Sequence, residues 1–99
     1  MAIVEVTIVP LGTGSTSVSQ YVADCHKVLR DTTDVKWTLT PMSTILEGDL
    51  DQIMTLIRNM HEVPFEKGAG RVSTSIKIDD RRDKEATMEK KLQAVEDKL

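Results

Sequence analysis

The chain opens on a two-residue alternation of apolar and mixed positions, which is typical of a β-strand. β-branched residues are frequent between residues 2 and 9, and one face of this segment is wholly apolar. The apolar face consists of Ala2, Val4, Val6 and Ile8, and the mixed face of Ile3, Glu5, Thr7 and Val9. We expect Pro10 and Gly12 to end the strand and residues 11–17 to form a loop of small residues.

A helical repeat of apolar residues follows this loop. Its members are spaced as on one face of an amphipathic helix: Val18, Tyr21, Val22, Cys25, Val28 and Leu29. Ser17 is a suitable N-cap, and Gln20 three positions later completes a capping-box pattern. Because Cys25 lies within the apolar stripe, we expect a buried structural thiol rather than a reactive one. His26 lies off the stripe and is expected to be solvated.

Residues 35–48 predict a tight β-hairpin, with Pro41 in a four-residue turn. A second helix opens with Asp49 as N-cap and Gln52 three residues later. The helical stripe comprises Leu50, Ile53, Met54, Ile57, Met60 and His61. We expect Val63 to end this helix, since the residue before a proline disfavours helical geometry, and residues 64–70 to form a loop.

The last third of the chain predicts one more strand and one more helix. Residues 71–78 alternate again, a polar segment at 79–83 breaks the pattern, and an amphipathic tail helix is expected over 84–99. The order is that of an α+β, ferredoxin-like βαββαβ sandwich, in which two helices cover one face of a four-stranded antiparallel sheet, with an extra C-terminal helix. We expect a single domain over residues 1–99.

The second face of this sheet requires a partner surface. The last strand contributes only polar side chains to it, whereas the first strand contributes a mixed set. The C-terminal helix also carries a narrow apolar stripe, consisting of Met88, Leu92, Val95 and Leu99. Both surfaces favour contact with other subunits, and we expect a homo-oligomer with closed symmetry, most simply a tetramer.

The composition is that of a folded chain and excludes several classes of protein. Of the 99 residues, 39% are hydrophobic and 29% are charged, which excludes a disordered or collagen-like chain. The 13 basic and 16 acidic residues give a net charge of -3, whereas a duplex-binding module carries a basic excess. One Trp, one Tyr and one Phe make no stacking platform for single strands. We therefore expect no nucleic-acid partner.

Cysteine content and hydropathy indicate the compartment. Cys25 is the only cysteine, so the chain cannot form an internal disulfide, whereas small secreted domains usually contain several. The N-terminus lacks a charged-then-apolar leader, and the apolar runs are far too short for a membrane span. We expect a cytoplasmic protein without a membrane partner.

Catalytic and metal-binding motifs are absent from the sequence. His26 and His61 lie in different predicted helices, without a Cys or His partner at metal-ligand spacing, so we expect no metal, no cofactor and no enzymatic activity. The loop at 11–17 contains a G-x-G fragment without the third glycine of a dinucleotide fingerprint. Its amides can face an anion at the helix N-terminus, or the loop is simply a flexible connection.

Glu47 is the most distinctive polar candidate. It lies at a strand end beside Gly48, which allows a backbone to approach closely, and its carboxylate can accept from a cationic or amino-bearing ligand. The alternative is a solvated strand end. Thr44 would point to the opposite sheet face in a regular strand, so that only a bulge would bring the two side chains together.

Three segments resemble one family over nearly the whole chain. They are IVPLGTGSTSVSQYVA at 8–23, LTPMSTILEGDLDQI at 39–53 and RVSTSIKIDDRRD at 71–83. They resemble the small ferredoxin-like proteins long called hypothetical and now described as thiamine-binding. The resemblance implies a homotetramer without assigned enzymatic activity, and a site for thiamine or its hydroxymethylpyrimidine half.

The residue types near these segments suit such a ligand. An aminopyrimidine needs hydrogen-bond acceptors for its amino group and donors for its ring nitrogens, and these groups are available from Glu47, Thr44, Thr38, Ser43 and Ser17. A flat ring also needs an apolar wall, for which Trp37, Met42 and Met54 are candidates.

Two functions of different classes remain open at this point. One is a binding protein for a thiamine-like small molecule, and the other is a ligand-free structural or regulatory oligomerisation module. The fold alone cannot separate them. An enzyme is the third choice, because no acid, base and nucleophile converge in the sequence.

Overall fold

The computed structural model describes residues 1–85 and 87–99, and its elements follow the order βαββαβα. The strands and helices are β1 (Ala2–Leu11), α1 (Ser19–Lys27), β2 (Lys36–Leu39), β3 (Thr44–Gly48), α2 (Leu50–Glu66), β4 (Arg71–Asp80) and α3 (Met88–Glu96). The sheet order is β2-β3-β1-β4, and each neighbouring pair is antiparallel. The predicted ferredoxin-like α+β fold with an extra C-terminal helix is confirmed.

The core lies between one sheet face and the helices α1 and α2. The apolar face of β1 supplies its centre, as the alternation predicts, and Leu46 of β3 lies beside Val4 in the register. The helices contribute Cys25, Ile53, Ile57 and Met60, and Leu29 joins them from two residues beyond the end of α1. The opposite sheet face, here called the open face, is covered by neither α1 nor α2.

The first strand extends beyond the predicted stop at Pro10. β3 pairs with β1 only as far as Val6, whereas β4 pairs with β1 to Leu11. Beyond Val6, β1 is therefore an edge strand on the side of β3. A proline is tolerated at an edge because its missing N–H can lie on the unpaired side.

The predicted N-cap at Ser17 is wrong. α1 begins at Ser19, Val18 occupies the cap position, and no side chain in the described part of this segment caps the helix. The backbone N–H of Ser17 donates to Ser15 Oγ at 3.1 Å, so the serines of this loop bond to one another. Such local side-chain bonds compete with helix capping, and they replace the predicted capping box.

The predicted helix end at Val63 is also wrong, since α2 continues through Pro64 to Glu66. A proline inside a helix leaves the carbonyl four residues earlier without its N–H donor, and that residue is Met60. The thiol of Cys25 on α1 donates to the Met60 carbonyl at 3.4 Å. This hydrogen bond between the two helices thus partly replaces the backbone hydrogen bond that the Met60 carbonyl lacks. Pro64 itself is fully buried.

This contact makes Cys25 structural, as its place in the apolar stripe predicts. The side chain is 4% exposed, and burial, with a smaller contribution from the Asp24 carboxylate, raises the pKa of the thiol to about 11. Since the thiolate is the reactive form, modification of the native protein should be slow. We expect Cys25→Ala to lower the free energy of unfolding by about 1 kcal/mol, measured by urea denaturation, and to leave ligand binding unchanged. Rapid thiol labelling under native conditions would contradict this assignment.

The C-terminal segment differs from the sequence-based expectation in extent and in packing. The last strand runs to Asp80 rather than residue 78, because Ala2 at the start of β1 pairs with it. The last helix occupies Met88–Glu96 rather than the whole of 84–99, with Thr87 as its N-cap. Its apolar stripe remains largely uncovered, since Leu92 is 66% exposed and Val95 is 58% exposed.

Candidate functional site: a groove beneath the C-terminal helix

A groove lies between α3 and the open face of β1, β2 and β3. Its volume is about 910 Å³, within the range of small-molecule sites. Ile3 and Ile45 form an apolar floor, and Met88 and Leu92 of α3 form the opposite wall. The groove can therefore hold a flat, partly apolar molecule.

Glu47 is the buried polar group of this groove. It pairs in register with Ile3 and with Lys36 on the open face, and it is 4% exposed. The backbone N–H of Met88 donates to its Oε1 at 3.2 Å. Because Met88 is the first residue of α3, the carboxylate lies at the positive end of that helix dipole.

This arrangement leaves acceptor capacity for a ligand. A carboxylate can accept about four hydrogen bonds, and Met88 supplies one of them. An ionised or hydrogen-bonding partner in an apolar groove interacts more strongly than it would in water. Glu47 can therefore accept from an amino group, and its charge can attract a cation.

Charged side chains surround the mouth of the groove. Lys36, Glu89 and Lys91 line it, and Lys91 Nζ forms an ion pair with Asp79 of β4. Two contacts thus tie α3 to the open face, one to Glu47 at its start and one to Asp79 a turn later. The position of α3, and with it the shape of the groove, depends on both strands.

The predicted candidates Glu47 and Thr38 both line the groove. Trp37 lies at its border, but its ring packs edge-to-face against His26, with 5.0 Å between the centroids. Trp37 pairs with Leu46, which faces the core, so its ring lies on the helix side of the sheet. The aromatic wall expected from Trp37 is therefore supplied by aliphatic residues instead.

Thr44 lies on the opposite face from Glu47. The register of β3 with β1 advances one residue at a time from Thr44 to Gly48, so the bulge that would bring the two together is not formed. Thr44 Oγ1 is instead hydrogen-bonded to His26 Nε2 at 2.8 Å. The expectation of a solvated His26 is wrong, and burial lowers the pKa of this histidine from its usual value.

The four other candidates lie outside the groove. Ser43 is on the hairpin and donates through Oγ to Glu5 Oε2 at 3.0 Å. Met42 at the hairpin turn is 85% exposed, Met54 is on the far side of the molecule on α2, and Ser17 is in the exposed loop before α1. The fold therefore brings none of these four side chains to the groove.

The backbone of Gly48 is closely approached, as expected, but by another segment of the chain and not by a ligand. A Cβ at this position would lie 3.3 Å from the Asp34 carbonyl oxygen and 3.3 Å from Val35 Cγ2. The segment before β2 therefore packs directly on the end of β3. This contact positions Glu47, which precedes Gly48, at the groove.

Sequence reasoning missed the residues that α3 contributes. The apolar stripe of the C-terminal helix is visible in the sequence, and it includes Met88 and Leu92. The contact between the Met88 amide and Glu47 joins residues 41 positions apart, so no local sequence pattern predicts it. Within residues 1–85 and 87–99, no three His, Cys, Asp or Glu side chains are grouped to hold a metal ion.

Comparison with known proteins places the chain in a family. A sequence model described as thiamine-binding protein matches residues 4–96. The chain belongs to the thiamine-binding protein family. The UPF0045 protein YqgV of Bacillus subtilis is 50% identical over 98 residues, covering 96% of this chain and 94% of its own. A UPF0045 protein of Staphylococcus xylosus is 46% identical, covering 97% and 92%.

A solved structure of this group has the same fold. The hypothetical protein MJ1052 of Methanocaldococcus jannaschii superposes with a TM-score of 0.85 at 42% sequence identity. The match covers 96% of this chain and 95% of the archaeal one. No helix in the described ranges, 1–85 and 87–99, is both long enough and apolar enough to cross a membrane.

Proposed function

We propose that this protein binds thiamine or its hydroxymethylpyrimidine half, without catalysing a reaction, in the groove beneath α3. The observation that carries the proposal is the buried carboxylate of Glu47 at the base of an apolar groove of about 910 Å³. Membership of a family described as thiamine-binding supports the choice of ligand.

The chemistry of the ligand matches the groove. An aminopyrimidine carries N–H donors, for which Glu47 is the acceptor, and the hydroxyl of Thr38 can donate to a ring nitrogen. The flat ring lies between Ile45 on the floor and Leu92 on α3. In thiamine, the cationic thiazolium is also attracted by the negative charge of this carboxylate. The isolated pyrimidine half has no such charge and binds through hydrogen bonds alone.

A thermal-shift titration tests ligand binding. A ligand that binds only the folded state raises the melting temperature progressively, and at a hundred times its Kd it contributes about 2.7 kcal/mol of stability. We expect thiamine and hydroxymethylpyrimidine to raise the melting temperature, and oxythiamine, which lacks the amino group, to do so less. No shift and no calorimetric heat at millimolar thiamine would contradict the proposal.

Self-association is the second part of the proposal. The apolar stripe of α3 and the polar open face of β4 are exposed in the single chain, and a homotetramer with closed two-fold symmetry would cover them. Light scattering during size exclusion should give about 44 kDa, four times the 11.0 kDa of the chain. A mass near 11 kDa at micromolar concentration would contradict it.

The exposure of the α3 stripe also favours the alternative of a ligand-free oligomerisation module. Leu92 borders the groove and is 66% exposed, so a neighbouring subunit rather than a ligand can cover it. The two functions differ in one observable. An oligomer without any thiamine-dependent shift in melting temperature would favour the module.

A further inference from the structure

We infer that the edge strand β4 pairs antiparallel with β4 of a second copy, about a two-fold axis through Ser75, so that two four-stranded sheets join into one. The inference rests on the proposed self-association and names the surface that mediates it. Three independent features of β4 support it: the regularity of its edge, its exposed apolar side chains, and the order of its charges.

The edge of β4 is long and regular. All ten residues from Arg71 to Asp80 pair consecutively with β1, and β4 is the last strand in the sheet order. Edge strands expose unpaired N–H and C=O groups, and proteins usually protect them with a proline, a bulge or a short strand. The other edge, β2, is protected in this way because it has only four residues. The segment 71–80 contains no proline, and its unbroken pairing with β1 leaves no bulge within it.

Apolar side chains accompany this edge on the helix side of the sheet. Ile76 and Ile78 pair with Val6 and Val4, whose side chains face the core, yet they are 40% and 46% exposed. In the other half of β4, α2 reaches the strand through the His61–Thr74 hydrogen bond, and Val72 and Thr74 are half-buried there. Isoleucines exposed to this degree beside an unprotected edge indicate a surface that another strand covers.

The other half of β4 carries the complementary apolar surface. His61 of α2 is hydrogen-bonded through Nδ1 to Thr74 Oγ1 at 2.6 Å, and the Phe65 ring lies 5.6 Å from the His61 ring. Phe65 is 39% exposed beside this half of the strand. A two-fold axis at the strand centre places Ile76 and Ile78 of one copy next to the Phe65 side of the other.

Symmetry restricts the register to a few choices. A two-fold axis perpendicular to the sheet keeps the helices of both copies on the same side, so each residue must oppose one that points to the same face. An axis at Thr74 opposes Arg71 to Lys77, and an axis at Ile76 opposes Val72 to the carboxylate of Asp80. Both arrangements juxtapose unfavourable side chains.

The axis at Ser75 avoids both conflicts. It opposes Arg71 to Asp79 on the open face, once on each side of the axis. On the helix side it opposes Val72 to Ile78, which are both apolar. Cross-strand pairs of opposite charge and of β-branched residues stabilise antiparallel sheets, so the order of residues in β4 favours this register.

The pairing also connects the second copy to the groove. Asp79 already forms an ion pair with Lys91 of α3, which lines the groove. In the paired sheet, Arg71 of the second copy lies beside the same carboxylate. Asp79 then joins the interface to the helix that covers the proposed ligand site, while the groove itself stays open on the β1–β3 side.

A charge exchange tests the register. Arg71→Asp places a carboxylate opposite Asp79 of the second copy, and Asp79→Arg places a guanidinium opposite its Arg71. We expect each single variant to weaken association roughly tenfold or more, since like charges meet at two symmetry-related positions, and the double variant to restore it. Light scattering over a dilution series measures the change as loss of the assembly mass at higher protein concentration.

Restoration by the double variant is diagnostic of contact between copies. Arg71 and Asp79 are eight residues apart on one extended strand, a separation of about 27 Å, so they cannot compensate for each other within a chain. The matched control is Arg30→Asp, a charge reversal at an exposed residue between α1 and β2, which is the strand at the opposite edge of the sheet, and it should leave the mass unchanged. Asp79→Arg and the double variant both lose the Lys91 ion pair, so their comparison is free of that effect.

The outcomes separate this inference from the proposed function. An assembly whose mass is unchanged in both single variants would overturn the β4 pairing, and a double variant as weakly associated as the single ones would overturn the register at Ser75. A wild-type monomer at micromolar concentration would overturn self-association as a whole. Calorimetry with thiamine on the same samples decides ligand binding independently of these masses.

Discussion

Replacing Glu47 by glutamine should weaken thiamine binding about ten- to a hundredfold. The substitution keeps the shape of the side chain and removes its charge, and a hydrogen bond to a charged group contributes roughly 1.5–3 kcal/mol. The glutamine can still accept from the Met88 amide, so α3 should stay in place. Isothermal titration calorimetry of both proteins measures the difference directly, and equal affinities would remove Glu47 from the site.

Glu5→Gln is the matched control for this experiment. Glu5 lies on the same open face and the same sheet, but it is exposed and bonded to Ser43 at the hairpin, outside the groove. Like Glu47→Gln, the substitution Glu5→Gln removes one negative charge, so any long-range electrostatic effect on a cationic ligand should appear in both variants. Thr44→Val tests the other face, and we expect it to leave the affinity unchanged because Thr44 points toward His26. A larger loss in either control than in Glu47→Gln would contradict the groove as the site.

Leu46→Ala should lower the free energy of unfolding by about 2–5 kcal/mol. Leu46 is fully buried in the core beside Val4, so truncation removes apolar contacts and leaves a cavity that the surrounding strands and helices can only partly close. A loss of this size is a large fraction of the stability of a small domain. Urea denaturation followed by circular dichroism measures it.

Leu39→Ala provides the comparison on the same sheet. Leu39 is on the edge strand β2 and is 53% exposed, so we expect a loss below about 1 kcal/mol. Equal losses in the two variants would contradict the position of the core between β1, β3 and the helices. Ligand affinity should change little in either variant, since both side chains lie on the face opposite the groove.

Local sequence patterns were sufficient to predict most of the secondary structure. The alternation of β1 and the stripe of α2 each show which side of the element is apolar. Burial of these apolar sides against each other produces the sandwich of helices on one sheet face. The Asp49 N-cap was predictable for the same reason, since its carboxylate accepts from the Gln52 N–H at 3.1 Å within a single turn. The errors occur where a distant partner changes the local preference. Pro64 stays within α2 while the Met60 carbonyl accepts from Cys25, a residue of another helix.

At the candidate site, too, some features follow from the local sequence and others depend on distant contacts. The sequence by itself singled out Glu47 from its residue type and its place at a strand end, and it showed that Thr44 would face away unless the strand bulged. Only the tertiary structure decided that the strand is regular and that α3 folds over the open face to bury Glu47. The period of a strand assigns a side chain to one face of the sheet. Whether a groove closes over that side chain depends on where a separate helix packs, and no local sequence pattern encodes the packing position of a distant helix.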